Sequence, residues 1–213
     1  MGTYRVRLLR RARLSESVFE IELERPAGFR FSAGQRVSIL ANRARRDYSL
    51  AGAPSAAGLT LIVRRIEGGA VSPLLGECAP GTPLELTGPH GLFTFTPSEL
   101  PAVFVATGVG IAPLLSFVRS GARGFTLLHG VRARDELLYR EELRAASGLY
   151  VPCLSREEAP GCHHGRVTDW SREHLRPGAF DFFLCGSRQM TRDMIVLVDE
   201  RFPGSRVHTE IFF

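Results

Sequence analysis

Arg46-Asp47-Tyr48-Ser49 sets a guanidinium, a carboxylate, an aromatic ring and a hydroxyl on four neighbouring positions. Apolar alternation in Val37-Ser38-Ile39-Leu40 precedes it, and the small-residue turn Ala51-Gly52-Ala53-Pro54 follows, so an extended segment is expected. Alternate side chains on such a segment point the same way. Arg46 and Tyr48 are then placed to face one ligand, the guanidinium on a phosphate and the ring against an apolar system. Ser49 turns to the other side or meets the ligand where the strand ends. The set suits a flat, redox-active molecule with a phosphate tail. Further on stands Thr107-Gly108-Val109-Gly110-Ile111-Ala112-Pro113. Its glycines let the backbone approach a pyrophosphate, and free N–H groups at the following helix start favour anions. The plain alternative is a strand-to-helix turn that needs glycine for steric reasons. For Gly69-Ala70-Val71-Ser72 the alternative is a simple hairpin end.

The elements that must position these residues differ between the two halves. In the first, Arg5-Val6-Arg7-Leu8-Leu9, Ser17 to Leu23 and Leu59 to Val63 alternate apolar with polar. Turn signals at Pro26–Gly28, Ala33-Gly34, Gly68-Gly69 and Pro80-Gly81 punctuate them, and Gly88-Pro89-His90-Gly91 reads as the closing turn. Short strands at this spacing predict a small antiparallel β-barrel. In the second half, Ala102-Val103-Phe104-Val105-Ala106 is a wholly apolar run of the kind found in buried parallel strands. Strands are likewise expected at 125–130 and 180–186, with helices over 114–118, 136–146 and 188–201. Strand, glycine turn and helix in repetition predict a Rossmann-like parallel α/β domain with its ligand edge at the strand C-termini. We therefore expect two domains, 1–97 and 98–213.

Composition bounds the function. The chain has 213 residues, 44% of them apolar, enough to bury a core. No apolar run reaches membrane-spanning length, and no apolar signal core stands near the first residues. The cysteines Cys78, Cys153, Cys162 and Cys185 are scattered without a CxxC pair, so neither a metal site nor an iron–sulfur cluster is expected, and a reducing cytoplasm is the simplest setting. All 27 basic residues are arginine. Residues 1–97 hold 13 Arg against 8 acids, whereas 98–213 hold 14 of each. The net +5 therefore lies in the first half and predicts an acidic partner or ligand there. Nothing resembles a nucleic-acid reading element.

Taken in order, Arg46-Asp47-Tyr48-Ser49, Gly69-Ala70-Val71-Ser72-Pro73, Gly88-Pro89-His90-Gly91, Thr107 to Pro113, Leu184-Cys185-Gly186 and Glu210-Ile211-Phe212-Phe213 resemble the ferredoxin/flavodoxin–NADP reductase family of flavoproteins. The resemblance implies an FAD-binding barrel followed by an NAD(P)-binding domain. It implies that Arg46 holds the FAD pyrophosphate, Tyr48 stacks on the flavin and Ser49 sits near its reactive nitrogen. Val63, Arg64 and Arg65, with the turn at Gly69, Val71 and Ser72, would add FAD contacts. Thr107, Gly108, Val109 and Gly110, with Pro113 closing the motif, would cradle the pyridine nucleotide, and Cys185-Gly186 would lie beside the nicotinamide. Ser49, Cys185 and Glu210 would form the catalytic set, and Phe212 or Phe213 would shield the flavin face.

Arg132, Arg156 and Arg166 resemble positions that take a 2′-phosphate, which favours NADP(H), with NAD(H) the alternative. The resemblance implies an acidic carrier such as ferredoxin or flavodoxin as partner, with the protein a monomer or a subunit of a redox complex. An NAD(P)H-oxidising subunit of a larger complex and a non-catalytic nucleotide-binding module remain as alternatives. The chain-terminal Phe departs from the Tyr or Trp common in the family.

Overall fold

The computed structural model describes residues 2–41 and 43–211, the last by its backbone alone. The chain forms two compact units: residues up to Thr94 with Leu115–Ser120, and Phe95–Leu114 with Gly121 onward.

The first unit carries β1 (Thr3–Arg13), β2 (Val18–Glu24), β3 (Arg36–Ala41), β4 (Ala44–Ser49), β5 (Gly58–Arg64), α1 (Ser72–Glu77) and β6 (Pro83–His90). Its strands pair antiparallel in the order β4-β3-β6-β1-β2-β5. The two edges meet where Leu50, just past β4, bridges Leu61 of β5, which curls the sheet into a barrel. Period-two alternation sends Phe19, Ile21 and Leu23 of β2 into a core shared with Val37, Ile39, Leu50, Leu61 and Val63. Glu20 and Glu22 pair instead with Arg10 of β1, at 2.8 and 3.6 Å. Residues Leu115–Ser120 join this unit through Ser116, whose Oγ donates to the Gly52 carbonyl at 2.7 Å, and through Phe117, whose ring lies 5.5 Å from that of Phe93. Gly34 has φ +90°, and a Cβ there would strike the Phe93 carbonyl, so the turn admits only glycine.

One alternative and one expectation for this unit need correction. Gly69–Ser72 leads into the helix Ser72–Glu77 instead of ending a hairpin, the alternative weighed for it, and Pro73 in the first turn is the signal that was available. Gly88-Pro89-His90 lies within β6 instead of forming a turn. The register of β3 against β6 shifts between Arg36 and Ser38, so a bulge absorbs Gly88-Pro89 while both flanks stay paired.

The second unit carries β7 (Ala102–Thr107), the start of α2 (Ile111–Arg119), β8 (Thr126–Val131), α3 (Arg140–Ala146), β9 (Leu149–Leu154), β10 (His163–His164), α4 (Val167–His174), β11 (Asp181–Gly186), α5 (Arg188–Arg201) and β12 (Arg206–Ile211). The sheet is parallel throughout, in the order β10-β9-β8-β7-β11-β12. Val103, Val105, Leu128, Phe182 and Leu184 pack on one face against Val167, Met190, Met194, Leu197 and Val198 of α4 and α5. On the other, the Phe104 ring stacks on Phe125 at 4.3 Å and meets Phe95 and Phe183 edge-on at 5.3 and 5.4 Å. The helix expected over 136–146 is broken. A short 3-10 turn covers Arg134–Glu136, Tyr139 takes φ +52°, and α3 begins at Arg140. Leu137 and Leu138 are both buried in the segment between the 3-10 turn and α3.

Asp181 closes the base of this sheet. Its carboxylate accepts from Arg206 Nε and Nη2, each at 2.6 Å, and from Ser98 Oγ. His208 lies 3.6 Å away. Burial pushes the Asp181 carboxyl up, but the hydrogen bonds from Arg206 and Ser98 outweigh it and hold the group below its ordinary value. A depressed folded-state value means stability that is fully present above the unfolded value of about 3.9 and is lost as pH falls through the folded one. Asp181→Asn should therefore cost about 1–3 kcal/mol at pH 7 in urea titrations. The gap between variant and native protein should close towards pH 3, and a gap that stays constant with pH would contradict this origin.

Candidate functional site

In the first unit the site is built on β4. Its register pairs Tyr48 with Val37, Arg46 with Ile39 and Ala44 with Ala41. Tyr48 is half-buried, and burial pushes its phenol up to about 12 against the opposing charge of Arg46, so it is a neutral ring. Arg46 is exposed and donates through Nη1 to the Arg45 carbonyl at 2.8 Å. Asp47 points to the opposite face, where it accepts from Ser38 Oγ at 2.5 Å and Arg36 Nε at 3.0 Å. Burial raises its carboxyl, but these bonds and the charges of Arg36 and Arg45 hold it below the usual carboxylate range. Ser49 is 2% exposed, and its Oγ has no hydrogen-bond partner among the described residues. A buried hydroxyl without a partner is costly, and a ligand atom that accepts or donates there would relieve the cost.

The other first-unit candidates take varied places. Val63 and Val71 are fully buried in the barrel core, which leaves only their backbone for a ligand. Arg64 ends β5 half-buried, and Arg65 pairs with Glu77 at 2.6 Å. The Gly69 N–H donates to the Ile66 carbonyl at 3.0 Å, and Ser72 Oγ accepts from the Ile66 N–H at 3.0 Å, so this turn is braced by its own residues. The basic excess is partly spent internally. Arg25 donates to the carbonyls of Phe29, Pro54 and Ala56, Arg11 to those of Gly76 and Cys78, and Arg5 and Arg10 pair with glutamates. Arg43, Arg45 and Arg46 are each exposed on the β3–β4 hairpin, with Arg45 Nε 3.8 Å from Asp47.

In the second unit the chain runs from β7 outward through β8 and β9, then returns to lay β11 on the other side of β7. The reversal makes the carboxyl ends of β7 and β11 a topological switch point, where open α/β sheets bind ligands. Thr107, Gly108, Gly110, Cys185 and Gly186 all lie there. Thr107 Oγ1 accepts from the Ser187 N–H at 2.9 Å. A 3-10 turn over Gly108–Gly110 leads into α2, with Gly108 at φ +55°. A Cβ on Gly110 would lie 2.3 Å from the Cys185 carbonyl oxygen, and one on Gly186 would lie 2.1 Å from Thr107 Oγ1. These two glycines therefore allow β7 and β11 to close on each other, the steric role weighed above. Val109 is partly exposed beside them, and Pro113 is buried in α2.

Cys185 is fully buried and lies beside Glu210 in the strand register. Burial, with the Glu210 charge, pushes its thiol well above the ordinary value, so it is a neutral group. Glu210 is buried at 8% exposure. The Arg156 N–H donates to the Arg132 carbonyl at 3.0 Å, which brings these arginines together past the ends of β8 and β9. Arg166 precedes α4 and donates from its N–H to Asp169. The side chains of Arg132, Arg156 and Arg166 are exposed, with no carboxylate partner among the described residues. Phe212 and Phe213 lie outside the described residues.

Sequence reasoning gave Asp47 no role, although the alternation that paired Arg46 with Tyr48 sends it to the opposite face. It also missed a buried polar pair, His129 Nδ1 with the Tyr150 hydroxyl at 3.0 Å. Burial lowers His129 to about 4, which keeps it neutral. A histidine in an apolar strand carries no signal that predicts its partner. Among the described residues no helix is long and apolar enough to cross a membrane, and no group of three His, Cys, Asp or Glu could hold a metal.

Comparison with known proteins agrees with both units. Residues 5–95 match the family described as "Oxidoreductase FAD-binding domain", and residues 104–195 that described as "Oxidoreductase NAD-binding domain". The chain is 40% identical over 155 residues to ferredoxin–NADP reductase B of Sorangium cellulosum, covering 67% of this chain and 64% of that protein. It is 34% identical over 218 residues to the ferredoxin–NAD(+) reductase component of the alkene monooxygenase system of Xanthobacter autotrophicus, covering 93% of this chain and 67% of that one. Among solved structures, the Amycolatopsis cytochrome P450 reductase superposes with a TM-score of 0.86 at 29% identity, over 99% of this chain and 70% of that one. The chain thus spans about two thirds of the length of these relatives. It belongs to the ferredoxin–NADP reductase-like family of FAD- and NAD(P)-binding oxidoreductases.

Proposed function

We propose that this protein is a flavin-dependent NAD(P)H oxidoreductase that passes electrons to an acidic ferredoxin- or flavodoxin-type carrier. Residues 1–97 would bind FAD, and 98–213 the nicotinamide nucleotide. The observation that carries it is the Ser49 hydroxyl, buried without a partner among the described residues and next in sequence to Tyr48, in the part of the chain that matches an FAD-binding domain. The residues fit the cofactor. Arg46 supplies charge for a pyrophosphate, neutral Tyr48 a flat apolar face, and Ser49 a hydroxyl for a ring heteroatom. When held there, FAD would supply the capacity to accept hydride and release electrons singly. The protein's part is to hold, orient and exclude water. With Cys185 neutral and buried, no side chain here need act as a strong acid or base. Thr107 and the Gly108–Gly110 turn would receive the nucleotide, with Cys185, Gly186 and Glu210 beside its nicotinamide.

The purified protein should be yellow and release FAD on denaturation, and anaerobic NADPH should bleach it. Release of FMN alone, or no flavin after reconstitution, would overturn the proposal. Arg46→Ala should weaken FAD binding by about 1.5–3 kcal/mol, the scale of a charged hydrogen bond, as read by flavin fluorescence titration.

Arg132, Arg156 and Arg166 favour NADP(H). Arg132→Ala should raise KM for NADPH and leave NADH turnover little changed, whereas equal losses with both would remove the 2′-phosphate role.

The carrier is suggested by the basic excess of residues 1–97, with Arg43 and Arg45 exposed on the β3–β4 hairpin, and by relatives named as reductases of ferredoxins. The second of these belongs to an alkene monooxygenase system, which favours a further reading as the reductase of a multi-component complex. Steered association weakens as the Debye length falls from about 30 Å at 0.01 M salt to about 10 Å at 0.1 M. Carrier reduction should slow strongly over that range while reduction of a neutral quinone does not. Equal salt dependence for both would count against an acidic partner.

A further inference from the structure

The second unit's sheet ends in two edges. At one, β10 is only two residues long; at the other, β12 runs over six, Arg206–Ile211. The Arg206 N–H donates to the Phe180 carbonyl at 2.9 Å, so Arg206, His208 and Glu210 turn their backbone groups to β11. Alternation then points the N–H and C=O of Val207 and Thr209 away from the sheet. Arg206, His208 and Thr209 are exposed and Val207 is half-buried. The larger side chains lean over their own sheet instead of across the edge: His208 stacks on Phe183 at 4.4 Å, and Arg206 reaches back to Asp181. An open edge of this length is a template for another strand, and native edges are commonly blunted by lysine, proline or a bulge. β12 contains neither lysine nor proline, and its register on β11 runs from Arg206 to Ile211 without a shift.

We propose that β12 pairs antiparallel with β12 of a second copy of this chain, about a two-fold axis at His208, so that the sheet continues from one copy into the other. The strand's own sequence selects a second copy as the occupant. Arg206-Val207-His208-Thr209-Glu210, laid against itself in reverse, sets Arg206 opposite the partner's Glu210 and Glu210 opposite the partner's Arg206. Opposed residues share a face, so each cation meets a carboxylate. The same register lets Val207 exchange both backbone bonds with the partner's Thr209, and Thr209 likewise with the partner's Val207. Centring the pair on Val207 instead would set Arg206 against the partner's His208 and Glu210 against the partner's Gly204. Such a contact uses the same patch on both copies and closes at two. It brings the partner's Arg206 to Glu210, the carboxylate beside Cys185. The proposal concerns the second unit alone and does not depend on the flavin reading.

Light scattering of the full chain over a dilution series tests this. The native protein should show twice the mass of one chain at high concentration and fall towards one chain on dilution. Thr209→Pro removes an outward N–H that β11 does not use, and it should weaken the dimer by at least about tenfold. His208→Cys sets a thiol opposite its own copy across the axis, where paired Cα atoms of this kind lie about 4.5 Å apart, within reach of a disulfide. Oxidised glutathione should couple the two thiols into one disulfide, itself reduced to two glutathione thiols, and give a covalent dimer on a non-reducing gel. Thr209→Cys, whose thiol meets Val207, and the native protein should stay uncoupled under the same treatment. The two cysteine variants decide the matter if the proline variant does not fold. A native protein that is monomeric at every concentration, a dimer that Thr209→Pro leaves unaltered, or coupling of Thr209→Cys in place of His208→Cys would overturn the proposal.

Discussion

Strand alternation in β4 is the constraint from which the first unit's site follows. One peptide step separates Asp47 from Tyr48, and that step sends their side chains to opposite faces. Asp47 is held outward by Ser38 and Arg36, which fixes the register of β4 on β3. With that register fixed, Tyr48 and Arg46 must share a face with Val37 and Ile39. A slip by one residue would exchange the ring for the carboxylate and present the wrong chemistry. The acidic residue in the middle of the motif thus acts by anchoring the strand, while its neighbours stay available to a ligand.

The second unit depends on close approach between two parallel strands. Gly110 and Gly186 lack a Cβ where one would strike Cys185 or Thr107. Thr107 Oγ1 uses the space, accepting from the Ser187 N–H across the gap. The edge proposed to admit a nucleotide is therefore closed by the chain's own contacts. Two glycines in a strand-to-helix turn then have separate duties: Gly108 supplies a left-handed backbone, and Gly110 supplies room for the neighbouring strand.

Much of this was legible in the sequence because it rests on periodicity. Phe19, Ile21 and Leu23 alternate and are buried, the apolar run at 102–106 is a central parallel strand, and α5 spans Arg188–Arg201 as expected. What was not legible depends on partners far along the chain. Nothing local tells that Gly88-Pro89 sits in a bulge, because its pairing is with β3, some fifty residues earlier. Leu137-Leu138 looks helical, but the left-handed backbone at Tyr139 interrupts the helix before α3. For the site, the motif marked β4 correctly as an extended segment bearing Arg46 and Tyr48 on one face. That Val63 and Val71 turn into the core, and that Arg11 and Arg25 are absorbed by backbone carbonyls, are facts of packing that composition does not carry.

The burial of Cys185 has a consequence for durability. An oxidoreductase of this family working in air would meet peroxide. Peroxide attacks the thiolate, and the resulting sulfenic and sulfinic acids are polar and bulky. At the β7–β11 closure Cys185 is fully buried, so such a group would have little room. Full burial and the neighbouring Glu210 charge keep this sulfur protonated. The same carboxylate that would line a nucleotide edge thereby disfavours the oxidisable thiolate at the closure.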